Sequence, residues 1–159
     1  MKRKVYLDST IPSYLVDERN SIKEYIEVTK AWWKEERVNY ELFVSEETIA
    51  ELSEGDYPNK HKILELISRI QVLHFENEII EIAQVYINNF LMPKTKKGDA
   101  LHLAYASYFK LDFLLTWNCN HLANANKRQH IRIINTKLNL PTPEIVTPME
   151  LFTEVDDDN

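Results

Sequence analysis

Short apolar runs alternate with helical stripes along the whole chain. Val5-Tyr6-Leu7 is a compact apolar run closed by Asp8, and it predicts a first strand over 4–8. Ile22, Tyr25, Ile26, Thr29, Trp32 and Trp33 then recur at spacings of three and four, which predicts a helix over 22–37. Ser21, followed three residues later by Glu24, has the form of a capping box at its start. Leu42-Phe43-Val44 predicts a buried second strand, and Ser45 is placed to cap a helix over 46–54 that Gly55 stops.

The alternation continues. Ile63, Leu64, Ile67 and Ile70 mark a helix, and Val72 to Phe75 a third strand. A helix from Asn77 carries Ile79, Ala83, Tyr86 and Ile87 and is expected to end at Pro93. Another opens at Asp99, with the small residues Ala100, Ala104 and Ser107 permitting close packing. Asp112 to Thr116 is the fourth strand, 121–139 a helix, Glu144 to Thr147 a last strand, and Pro148 starts a final helical turn. Strands separated by helices throughout predict an α/β fold with a mostly parallel sheet of four to five strands.

Composition narrows the function classes. The 159 residues fit a single domain, here residues 1–152, followed by an acidic tail at 153–159 that is expected to be disordered. Two glycines, Gly55 and Gly98, exclude a glycine-rich phosphate loop or a dinucleotide fingerprint. The one cysteine, Cys119, has no partner for an internal disulfide. Asp8 and Pro12 interrupt any leader that might follow Lys2-Arg3-Lys4, and no apolar run is long enough to span a bilayer, so the expected location is cytoplasmic, with no membrane partner. A net charge of −6 argues against coating nucleic acid by bulk electrostatics, but not against cutting it at a metal site.

Topology gives four polar residues a shared destination. In a parallel sheet all strand C-termini lie along one edge, where ligands bind. Asp8 ends the first strand, Glu51 lies on the helix after the second, Asp99 in the first turn of the helix before the fourth, and Asn118 just past that strand. Oxygen donors of this kind suit Mg²⁺ or Mn²⁺, which would polarise a phosphoryl oxygen and acidify a bound water for phosphodiester hydrolysis.

The pieces Tyr6-Leu7-Asp8-Ser9-Thr10, Val44-Ser45 leading to Ala50-Glu51-Leu52, Gly98 to Ala104, Leu114 to Asn118 and Ile145 to Pro148 resemble the PIN-domain family in their order and spacing. The resemblance runs from Val5 to about Phe152 and is to its VapC-like toxins of bacterial toxin–antitoxin pairs in particular. It implies a three-layer α/β/α domain and a metal-dependent endoribonuclease, with the metal held by Asp8, Glu51 and Asp99. It further implies a hydroxyl beside the first aspartate, matched by Ser9 or Thr10, and a threonine near the site, matched by Thr116. Its implied partners are an RNA substrate, a small antitoxin protein that blocks the crevice, and for many members a second copy in a homodimer.

The chain departs from the family at Asn118, where a fourth aspartate is frequent. An amide offers oxygen without charge, which implies one firmly bound metal and a second bound weakly or only with RNA. The same departure favours the alternative of a catalytically weakened PIN fold that binds RNA or a partner. A haloacid-dehalogenase-type phosphatase is disfavoured, because it needs an aspartate where Thr10 stands.

Several residues have competing readings. Glu47 and Glu54 lie one helical turn from Glu51, where a solvated charged face is the default. Asp112 begins the fourth strand and belongs to the opposite edge. His102 and His121 read foremost as partly buried, hydrogen-bonded histidines, and Trp32 and Trp33 as core or interface residues. Lys94, Lys96 and Lys97 before Asp99, with Lys127, Arg128 and Arg132 after Asn118, are candidate RNA contacts on the basis of charge and adjacency.

Overall fold

The structure, a computed structural model, describes residues 1–118 and 124–153. Five strands, β1 (Arg3–Leu7), β2 (Tyr40–Ser45), β3 (Gln71–Leu73), β4 (Phe113–Leu115) and β5 (Glu144–Val146), form one sheet in the order β3-β2-β1-β4-β5. Every pairing is parallel. The chain steps outward from β1 to β2 and β3, then crosses back to lay β4 on the other side of β1. The direction of winding therefore reverses between β1 and β4, and a crevice opens beyond their C-terminal ends.

Side chains alternate across the sheet as the pleat requires. Tyr6, Phe43, Leu114 and Ile145 enter a core with α5 (Asn77–Asn88), α6 (Lys97–Tyr108) and α7 (Ala125–Lys137). Val5, Leu7, Val44, Phe113, Leu115 and Val146 face the other way, against α1 (Thr10–Val16) and α2 (Lys23–Glu35) through Ile11 and Trp32. Three layers result, helices over sheet over helices, as the resemblance implies. Two further helices, α3 (Glu46–Ser53) and α4 (Lys60–Ile67), complete the β2–β3 connection.

Local chemistry explains most boundaries. Ser45 caps α3 as expected, its Oγ accepting from Thr48 N at 3.3 Å. Ser21 does not cap α2: residues Asn20–Ile22 form a separate 3₁₀ turn, and Ile22 occupies the cap position without a side-chain bond. α5 ends at Asn88, ahead of the expected stop at Pro93, and Phe90 turns the chain at φ 60°. With glycine so scarce, Lys110 and Asn139 take the same left-handed conformation after α6 and α7.

The helix α1 was not expected from the pattern. Residues 119–123, which include Cys119, His121 and the first residues of the expected 121–139 helix, lie outside the described residues; the described part of that helix is α7. Thr153 donates from Oγ1 to Glu36 Oε2 at 2.7 Å, and the acidic residues beyond it also lie outside the described set. Among the described residues no helix is long and apolar enough to cross a membrane.

Candidate active site

Asp8 and Thr116 stand side by side where β1 and β4 end. Asp8 N donates to Leu115 O at 3.3 Å and Thr116 N to Val146 O at 3.0 Å, extending the ladder by one residue on each strand. The Asp8 carboxylate is 2% exposed. Its Oδ1 accepts from Thr10 N at 3.0 Å and Thr10 Oγ1 at 2.5 Å, and its Oδ2 accepts from the Thr116 hydroxyl. Burial raises its pKa above the ordinary carboxylate value, a rise that the nearby His102 and the Thr10 and Thr116 hydrogen bonds only partly offset. Among the described residues no lysine or arginine pairs with it.

Thr116 also binds the other half of the site. Its Oγ1 accepts from Asn118 N at 2.9 Å, and the Asn118 amide donates from Nδ2 to Asp99 Oδ2 at 2.8 Å. Asp99 lies in the first turn of α6, where its charge also suits the helix dipole. A continuous hydrogen-bonded path therefore joins Asp8, Thr116, Asn118 and Asp99, drawn from two strand ends and one helix start.

Glu51 approaches from the last turns of α3. Ser9 donates from Oγ to Glu51 Oε2 at 2.8 Å, tying this carboxylate to the residue next to Asp8. Its Oε1 lies 2.5 Å from His102 Nε2, too bent for a well-directed hydrogen bond and best described as a charge contact. Desolvation alone would raise the Glu51 pKa, but the imidazole and Ser9 outweigh it and hold the carboxyl below its usual value. Desolvation alone would lower the His102 pKa; the Glu51 carboxylate, with Asp8 and Glu47, holds it above the usual value instead.

Behind His102 lies a buried relay. His102 Nδ1 is 2.5 Å from Tyr6 Oη, which in turn is 2.6 Å from Ser45 Oγ. Burial pushes the Tyr6 phenol well above 10, so it stays a neutral hydroxyl. The reading of His102 as a buried, hydrogen-bonded histidine therefore holds, and the same ring also touches the site. Tyr6 was missed because it reads as one apolar strand residue among three. Glu47, treated above as a solvated charge, is half-buried, and burial together with Glu51 raises its carboxyl pKa.

Gly98 explains how α6 comes so close. A Cβ there would sit 3.2 Å from Glu51 Oε1 and 3.4 Å from Glu47 Oε1. Gly98→Ala gains helix propensity of ~0.5–1 kcal/mol while pushing a pinned carboxylate aside. The expected result is a melting temperature close to wild type, the gain in propensity set against the displaced Glu51 carboxylate; thermal melts of the two proteins check it.

The expected basic contacts are dispersed. Lys97 is exposed, and the side chain of Lys96 lies outside the described atoms. The Lys127 ammonium donates to Leu91 O, and Arg128 lies 3.8 Å from Glu150. Asp112 accepts from Lys4 N at 2.8 Å at the opposite edge of the sheet, as expected. A concavity of about 740 Å³ also lies at that opposite edge, between Trp33, Tyr40 and Gln71, and is lined by none of the candidate residues. A smaller groove of about 470 Å³ is lined by Ser9, Thr10, Glu51, Tyr14 and Tyr57, with Arg19 and Glu54 among them.

No protein-family profile matches the chain, and no curated protein matches it in sequence. Solved structures do. VapBC-1 from nontypeable Haemophilus influenzae superposes with a TM-score of 0.57 at 18% identity, over 92% of this chain and 98% of that one. A toxin–antitoxin complex from Klebsiella pneumoniae gives 0.53 at 20% identity, over 91% and 97%. VapC20 from Mycobacterium tuberculosis, described as a sarcin–ricin loop cleaving toxin, gives 0.55 at 11% identity, over 74% and 92%. This chain has the VapC fold. At these identities the likeness is one of architecture, and the chemistry has to come from the residues.

Those residues suit a hard divalent cation in kind. Asp8 is a buried carboxylate with no lysine or arginine partner among the described residues, and its Oδ2, which accepts one bond, keeps a lone pair free. Among the described residues, however, no three His, Cys, Asp or Glu side chains are gathered closely enough to hold an ion by themselves. Mg²⁺ and Mn²⁺ need fewer protein ligands than that, binding through one or two carboxylates with water and substrate phosphate in the remaining positions.

Proposed function

We propose that the protein is a metal-dependent endoribonuclease that hydrolyses RNA phosphodiester bonds at the β1–β4 crevice, with Mg²⁺ or Mn²⁺ as cofactor. The observation that carries the reading is the buried Asp8 carboxylate, linked through Thr116 and Asn118 to Asp99 and flanked by Ser9 on Glu51. The VapC fold supports it at the level of architecture.

Asp8, with Asp99 or Glu51 as a second carboxylate, would hold the cation, which when bound would polarise the phosphoryl oxygen and make a water nucleophilic. Thr10 and Thr116 fix the Asp8 carboxylate from both sides, so little reorganisation is left for the reaction. Asn118 holds Asp99 in place while adding no charge. Ser9 orients Glu51, and His102 balances the acidic cluster from its buried side. A small antitoxin protein covering this crevice is the partner that the fold's relatives support, since the Klebsiella structure is of a toxin–antitoxin complex.

Metal binding provides the first test. A cation that binds only the folded protein stabilises it by ~2.7 kcal/mol at 100 times its dissociation constant. Millimolar Mn²⁺ is therefore expected to raise the wild-type melting temperature by several degrees and to leave Asp8→Asn nearly unmoved. An unchanged wild-type curve counts against the site.

Asn118→Asp extends the test. It replaces a donor 2.8 Å from Asp99 Oδ2 with a second carboxylate, and the metal-free protein is expected to lose ~1–3 kcal/mol. Mn²⁺ should then stabilise this variant more than wild type, which differential melts in chelator and in Mn²⁺ read directly.

A further inference from the structure

Three aromatic rings stand beside the crevice with no part in holding a metal. Trp117 follows Thr116 directly, and its backbone N donates at 3.0 Å to Thr10 Oγ1, the hydroxyl that itself donates to Asp8. Its indole Nε1 donates at 2.8 Å to Thr29 Oγ1, which fixes the ring's rotation. Tyr14 lies nearly parallel to it, with centroids 6.1 Å apart and planes 16° apart, and Tyr25 tilts against it at 4.8 Å. Core aromatics are normally covered, yet Tyr25 is 43% exposed, and Tyr14 and Trp117 are both half-buried.

Tyr14 also lines the 470 Å³ groove, together with Ser9, Thr10, Glu51, Glu54 and Arg19. The groove thus combines charged groups and hydroxyls that suit a cation and a phosphate with a flat ring that suits a neutral π-face. A nucleotide carries both kinds of group.

We propose that Tyr14, supported by Trp117 and Tyr25, is a stacking platform for an unpaired nucleobase next to the cleaved phosphate. The ring takes only an unpaired base, because a base held in a duplex has no free face to offer. This rests on the ribonuclease reading of the same crevice and adds a base subsite to it. Stacking of this kind tolerates any base, since each has a π-face.

The test separates the two claims by measuring binding in chelator, where metal-dependent cleavage is off, and cleavage in Mn²⁺. Anisotropy of labelled oligoadenylate is compared with that of an abasic ribose-phosphate oligomer of equal length. Tyr14→Ala is expected to weaken oligoadenylate about 5- to 150-fold, the usual range for one stacked base, and to leave the abasic oligomer unchanged; Tyr14→Phe should bind as wild type. If Tyr14→Ala does not fold, Tyr14→Leu keeps the volume without the π-face and is expected to show the same selective loss.

Equal loss for both oligomers, a Phe variant as weak as Ala, or wild-type binding by Ala or Leu each overturns the platform. Selective loss without any cleavage in Mn²⁺ leaves the platform standing and removes the nuclease reading. Cleavage with wild-type binding by Ala or Leu does the reverse.

Discussion

Asp8→Asn is expected to lower RNA cleavage by about 10²–10³-fold or more, the scale of losing a group aimed at developing charge, without lowering the stability of the metal-free protein. The two halves of this prediction have one origin. Asparagine matches the aspartate in shape, its Oδ1 can keep both bonds from Thr10, and the Thr116 hydroxyl can turn to accept from Nδ2 instead of donating. What disappears is a buried negative charge that no lysine or arginine among the described residues neutralises.

The pH dependence carries a defined sign. Burial raises the Asp8 pKa in the folded state above its unfolded value. A group shifted that way contributes stability that is fully present below the unfolded pKa and is lost as pH rises through the folded pKa. Metal-free wild type should therefore lose ground to Asp8→Asn as pH rises from about 4 toward neutrality. Parallel thermal melts in chelator across that range check it, and a gap that narrows with rising pH contradicts the account.

Trp32→Ala is expected to cost ~3–5 kcal/mol, a third or more of the ~5–15 kcal/mol that holds a typical domain together. Trp32 is fully buried between α2 and the sheet, and it stacks on Tyr40 with centroids 6.0 Å apart. Its Nε1 donates to Leu151 O at 3.0 Å, so it also fastens the C-terminal segment to the domain. Alanine leaves both a cavity and an unpaired carbonyl. Trp32→Phe keeps a six-membered ring and loses the N–H with the rest of the bicycle, so its cost should be nearer ~1–3 kcal/mol. Urea melts of the two variants separate packing from hydrogen bonding, and similar midpoints for Ala and wild type would show that the ring is not a core element.

Much of the architecture could be read from the chain because its signals are local. The apolar run before Asp8, the Ser45 cap and the helical stripe through Trp32 each depend on neighbours in sequence, and the parallel order follows from their alternation. The helix α1 was hidden by Pro12, which reads as a breaker. Pro12 is the third residue of that helix, where a backbone N–H has no intrahelical partner to lose. The capping box at Ser21 failed for the opposite reason: its pattern is correct, but a 3₁₀ turn already occupies Asn20–Ile22.

The candidate residues were legible one by one; their contacts were not. Asp8, Thr116, Asn118 and Asp99 enter one hydrogen-bonded path and Ser9 with Glu51 a separate pair, because strand ends and the switch in winding direction bring them to one edge. That Tyr6 and His102 lie behind Glu51 depends on α6 packing against α3 across Gly98, a contact between residues about fifty positions apart. The basic residues show the limit of adjacency. Lys127 follows Asn118 closely in sequence, yet its ammonium donates to Leu91 O.

The most direct test of the account is a time course of wild-type protein on a single-stranded RNA, with Mn²⁺ added and then removed by chelator. The account predicts internal cleavage that begins with Mn²⁺, stops on chelation and resumes when the metal is restored. RNA left intact in Mn²⁺ and Mg²⁺, or cut at the same rate in chelator, would contradict it.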